Sequence, residues 1–67
     1  MNKQSYKIIY ETKNNKRLIT TVYSTSSEVA VLFELANKKI NNRGIQHYII
    51  NYIYDEKFKN LIYNKSI

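Results

Sequence analysis

The chain has 67 residues and a formal net charge of +6, with 11 Lys and Arg against 5 Asp and Glu. That length allows one domain around one small core, which folds alone but with little margin. The lack of cysteine excludes disulfides and thiolate metal sites, the single glycine excludes P-loop and dinucleotide fingerprints, and no apolar run approaches the ~20 residues of a membrane span.

Residues 5–12, SYKIIYET, alternate Tyr6, Ile8 and Tyr10 with Lys7, Ile9 and Glu11, which is a strand pattern. Lys13-Asn14-Asn15-Lys16 reads as a tight turn, because Asn tolerates the left-handed backbone that short hairpins need. Residues 17–24, RLITTVYS, are rich in β-branched side chains and return as a second strand. Thr25-Ser26-Ser27-Glu28 has the spacing of a capping box, with Thr25 and Glu28 each accepting from the other's amide. The helix that follows sets Val29, Leu32, Phe33, Ala36 and Ile40 on one stripe, widened by Val31 and Leu35, as in a helix lying on a sheet. Glu34 and Lys38 sit four apart on its outer side in the favourable order. Gly44 marks a left-handed stop.

Residues 45–54, IQHYIINYIY, form a third strand that is apolar on both faces. Residues 55–67 have two readings. One is a turn and a fourth strand at Leu61-Ile62-Tyr63; the other is a short helix with Phe58, Leu61 and Ile62 on one side. The strand is favoured, because Leu-Ile-Tyr is a poor helix centre and Tyr54-Asp55-Glu56 suits a hairpin exit. No repeat, linker or low-complexity tract divides residues 1–67.

The order β-β-α-β(-β) predicts a small single α+β domain, with one helix packed on one face of an antiparallel sheet of order 2-1-3 and an optional fourth strand. In that layout the helix ends near the hairpin tip. One pole then collects Lys13, Lys16, Arg17, Lys38, Lys39 and Arg43, with His47 just below, while Glu28, Asp55 and Glu56 lie at the other. The basic pole is a candidate partner- or phosphate-binding site. Two bland causes compete with it. Asn, Lys, Ile and Tyr all have AT-rich codons, so genome composition raises both charge and tyrosine content. Cations at a helix C-terminus also offset its dipole, by ~0.3–1 kcal/mol each. A helix C-terminus offers carbonyls, so any phosphate there would be held by side chains alone.

Parity across the strands divides the two faces. Tyr6, Ile8 and Tyr10, Leu18, Thr20 and Val22, and the even residues Tyr48, Ile50, Tyr52 and Tyr54 are expected toward the helix, because the odd face of strand three carries His47 and Asn51. The open face is then Ile9, Ile19, Tyr23, His47, Ile49 and Ile53, with Lys7 and Asn51 among them. One helix cannot cover both faces. The open isoleucines call for a lid from Phe58, Leu61 and Ile62 or for another chain. The rival arrangement turns the tyrosines outward as a base-stacking platform of the kind used by sheet-based RNA readers.

No catalytic constellation is legible. The lone His47 has no nucleophile or carboxylate pattern around it, and Asp55-Glu56 suits a turn better than a metal site. The expectation is no enzyme, no metal, no cofactor and no membrane. Asn64-Lys65-Ser66 matches a glycosylation acceptor, but nothing points to secretion. Size and composition resemble those of accessory proteins of phages and mobile elements in AT-rich bacteria, a likeness of genre and of no particular family. The expected function is a small cytoplasmic binding protein, in the host cytoplasm if phage-encoded, that regulates or inhibits a larger protein, nucleic-acid-handling proteins included, by occupying its surface. The alternative is a direct DNA- or RNA-binding protein gripping phosphates with the basic pole. A protein partner is favoured over nucleic acid, because phosphates do not cover an apolar face. A homodimer fits either reading.

Overall fold

The hydrophobic periods of the chain resolve into β1 (Gln4–Thr12), β2 (Arg17–Ser24), α1 (Val29–Asn42), β3 (Tyr48–Asp55) and β4 (Asn60–Asn64). This is seen in a computed structural model that describes residues 2–66. The strands form one antiparallel sheet in the order β2-β1-β3-β4, so the C-terminal segment adds a strand beside β3. The α+β architecture read from the sequence is the one observed.

The first hairpin closes through two bonds at 2.9 Å, from the Thr12 amide to the Lys16 carbonyl and from the Asn15 amide to the Thr12 carbonyl. Asn15 takes the left-handed conformation at φ 61°. That matches a three-residue loop ending in a left-handed residue, a twist-compatible way to join antiparallel strands. The helix starts differently from expectation. Thr25 and Glu28 form no capping box, and Glu28 itself precedes the first helical residue without a side-chain cap. The Ser24 hydroxyl instead accepts from the Ser26 amide (3.0 Å), and the Ser26 hydroxyl from the Glu28 amide (3.1 Å). These local serine bonds take up the Ser26 and Glu28 amides, and Glu28 itself is extended. At the other end Gly44 adopts φ 83° and donates to the Asn41 carbonyl at 2.9 Å, the left-handed stop that its position predicts.

The core lies between α1 and one face of the sheet. Leu32, Ala36 and Ile40 meet Tyr6, Ile8 and Tyr10 of β1, Val22 of β2, and Ile50 and Ile53 of β3. Val29, expected on the helix stripe, is exposed because it sits in the first turn beyond this cluster. Phe33 packs edge-on against Tyr63 at 4.9 Å, tying β4 to the helix.

Strand β3 departs from simple alternation. Tyr10 pairs with Ile50 but Ile9 pairs with Tyr52, so Asn51 is an extra residue opposite β1. Such a bulge reverses the parity of everything beyond it. Tyr48 and Ile50 therefore point toward the helix, and after the bulge Ile53 and Asp55 do so while Tyr52 and Tyr54 turn away. Ile53, expected on the open face, is 0% exposed, and Tyr52 and Tyr54, expected in the core, are not part of it. A second shift, between Ile53 and Tyr54 in their pairing with β4, leaves Ile62 and Tyr63 against the core and Leu61 outside. The β3–β4 turn is held by buried Asp55, whose carboxylate accepts from the Lys57 and Phe58 amides at 3.0 and 3.3 Å.

Candidate interaction surface

The face of the sheet opposite the helix is built from alternate residues of all four strands. Its central row runs Ile19–Ile9–Tyr52–Asn64, joined by register pairs across the sheet. Toward the hairpin tip the next row is Arg17–Glu11–Ile49, and on the other side it is Thr21–Lys7–Tyr54–Leu61. Ile19, Tyr23 and Ile49 are 56%, 60% and 53% exposed, and Tyr54 and Leu61 are also exposed. No segment of the described chain lies over them as a lid: β4 extends the sheet sideways, and Phe58 at the turn is itself exposed.

Two cations of this face are paired on it, while Lys59 at its border has no ion pair among the described residues. Lys7 lies 3.8 Å from Glu56, and Arg17 lies 3.9 Å from Glu11. The bulged Asn51 sends its side-chain amide to the same Glu11 oxygen at 3.4 Å. Two open cavities flank the central row. One of about 500 Å3 opens at the tip end between Glu11, Lys13, Gln46, His47 and Ile49. The other, of about 420 Å3, lies between Lys7, Ile9, Tyr54, Glu56 and Lys59.

Of the residues singled out from the sequence, Ile9, Ile19, Tyr23 and Ile49 sit on this face. Ile53 does not, for the reason given by the bulge. His47 precedes β3 rather than belonging to it, and it stands exposed beside the hairpin tip. Tyr52, Tyr54 and Leu61 were missed. The sequence signal was the pair of core residues Ile50 and Ile53 at odd spacing around a polar Asn51, which marks a parity change when a helix covers only one face.

The tip and the end of α1 do come together, since Lys13, Lys16 and Gly44 line one cavity. Half of the six cations are engaged by the protein's own oxygens. Arg17 is on Glu11, Arg43 reaches the Tyr10 hydroxyl at 3.4 Å, and the Lys39 ammonium donates to the Thr21 carbonyl on the edge strand β2. The Lys13, Lys16 and Lys38 residues are exposed, and their side-chain ammonium groups have no bonded partner among the described residues. Two amides of the turn are taken up within it. The Asn15 amide is used by the Thr12 carbonyl, and the Lys16 amide lies 3.4 Å from the Thr12 hydroxyl. The opposite pole is not cleanly acidic, because Lys57 and Lys59 share the turn that carries Asp55 and Glu56.

Two phenols are perturbed, both on the covered side. Burial raises the Tyr6 phenol above its usual value, with a smaller push from the Asp55 carboxylate. Burial, then Tyr10, raises Tyr48, whose hydroxyl donates to the Asn37 side chain at 2.5 Å. Among the described residues no cluster of three or more His, Asp or Glu could hold a metal ion, and no helix is long and apolar enough to cross a membrane. Comparison of the chain with protein-family models, curated proteins and solved structures finds no match.

Proposed function

We propose that the chain is a non-catalytic protein-binding module, a regulator or inhibitor in kind, whose docking surface is the open face of the sheet. One observation carries this reading. The face exposes Ile19, Tyr23, Ile49, Tyr54 and Leu61 together, while its cations Lys7 and Arg17 are neutralised by Glu56 and Glu11 on the same face. An apolar, charge-balanced surface suits burial against protein. A phosphate backbone would need those cations free and would find carboxylates beside them. The outward Tyr23, Tyr52 and Tyr54 supply the rings a base-stacking surface requires, so nucleic acid is the second reading, with the lysines at the tip and Lys59 beside Tyr54 as phosphate contacts. Glu11 borders the cavity beside His47 and shares one carboxylate oxygen between Arg17 and Asn51.

The test uses affinity capture with the tagged chain, together with titration against DNA and RNA. Ile49→Asp is expected to abolish protein capture while leaving the circular dichroism spectrum unchanged. Lys13→Ala with Lys16→Ala is expected to leave capture intact. Nucleic-acid binding with a steep salt slope that the lysine pair flattens would replace this reading with the second one.

A further inference from the structure

We infer that the molecule received by the open face is a second copy of this chain, packed sheet to sheet about a two-fold axis along the row Ile19–Ile9–Tyr52. The inference rests on the protein-docking reading above and names its partner. What points to it is the symmetry of charge about Ile9. Along the open side of β1 the residues are Lys7, Ile9 and Glu11, a cation and an anion equally spaced on either side of an apolar centre. A two-fold axis across the strands at Ile9 turns the second sheet face down and reverses its strands. Ile9 then meets Ile9, Ile19 meets Ile19, and Glu11 of each copy lies over Lys7 of the other. In the flanking rows Ile49 of one copy meets Tyr54 of the other, apolar on apolar.

The geometry tolerates the natural twist of sheets. Packed sheets cross at about 30°, and residues two places from the axis lie about 7 Å from it. The resulting offset of roughly 3–4 Å is within the reach of Lys and Glu side chains. An axis running along the strands between β1 and β3 is disfavoured, because it sets Glu11 over Ile49 and Lys7 over Tyr54 and so buries both charges against apolar groups. The interface is isologous, one patch complementary to itself, which is the usual form of a closed dimer.

Size fits a reversible contact. Four strands at ~4.8 Å and about seven residues at ~3.3 Å give a face of about 450 Å2 in projection. Two such faces, enlarged by side-chain relief, come close to the small end of specific interfaces at about 1,200 Å2. The dimer should therefore dissociate on dilution, in the micromolar range.

Sedimentation equilibrium on the full chain, from micromolar to millimolar concentration, tests this. The wild type is expected to reach dimer mass. Lys7→Glu alone and Glu11→Lys alone are each expected to stay monomeric, since each opposes like charges twice across the axis. An equimolar mixture of the two variants is expected to recover dimer mass, because every facing pair is again opposite in sign. Circular dichroism on each variant shows whether the fold is kept, and the mixture guards against a trivial loss of folding. A wild type that is monomeric at millimolar concentration overturns the inference. So does a dimer unaffected by either charge reversal, or a mixture that remains monomeric. If the wild type is monomeric and yet loses a captured foreign protein through Ile49→Asp, the second copy is excluded and protein docking stands. Salt-sensitive nucleic-acid binding by a monomer removes both.

Discussion

The two faces of this sheet are cut from the same four strands, yet they obey different rules. The face under α1 is closed by Leu32, Ala36 and Ile40 and admits almost no solvent, whereas the other keeps Ile19, Tyr23 and Ile49 more than half exposed. The contrast follows from size: one 14-residue helix covers one side of a sheet, and this chain has only one. Strand β3 sharpens the point, because it carries Ile and Tyr at nearly every position and so could have presented either parity. The bulge at Asn51 lets it give the helix Ile50 and Ile53 while both Tyr52 and Tyr54 go outside. Apolar residues are thus distributed by local backbone geometry rather than by composition.

The largest expected effect breaks that contrast within one strand. Ile53→Ala removes a wholly buried side chain and should cost about 3 kcal/mol, while Ile49→Ala on the open side should change stability by about 0.5 kcal/mol or less. Urea denaturation of the two variants, at concentrations where the chain is monomeric, measures both. Equal losses would mean that the bulge does not divide the strand. A smaller effect of opposite sign is expected at Thr20, whose hydroxyl is buried on the covered face with no partner among the described residues. Thr20→Val keeps the shape, removes an unpaired polar group and should stabilise by about 1 kcal/mol in the same assay. The smallest effect is alkaline. Because the Tyr6 phenol is raised above 10.0, the folded state holds that proton more tightly than the unfolded one. The unfolded chain therefore ionises first, and stability falls as pH climbs from about 10 through the folded value. Tyr6→Phe should make the melting temperature less sensitive to pH in that window, with the contribution of Tyr48 remaining.

Much of the covered face was legible from residue order alone. Tyr6, Ile8 and Tyr10 alternate without interruption, the Leu32–Ala36–Ile40 spacing is helical, and Asn15 and Gly44 supply the left-handed turns that end their elements. The side of β3 that faces outward was not legible. Tyr48 to Tyr54 is apolar at both parities, so a parity rule has nothing to act on, and a bulge leaves only a single polar residue as its mark. The start of α1 was missed for a similar reason. Residues 25–28 carry a capping-box spacing, but Ser24 and Ser26 offer equally local acceptors, and those are the bonds that form. The grouping of lysines at the tip followed from topology, whereas the self-pairing of Arg17, Arg43 and Lys39 depends on side-chain reach that no spacing reveals.

The bulge also determines what kind of genetic change this chain can survive. Substituting Asn51 alters one side chain and its bond to Glu11, a local matter. Deleting that codon removes the bulge and sets Tyr52 directly after Ile50, so that Tyr52, Ile53 and Tyr54 still pair with Ile9, Ile8 and Lys7 and each keeps its face. At this one point of β3 the chain can therefore lose a residue without exchanging its two faces, whereas a deletion within the regular β1–β2 ladder would exchange them.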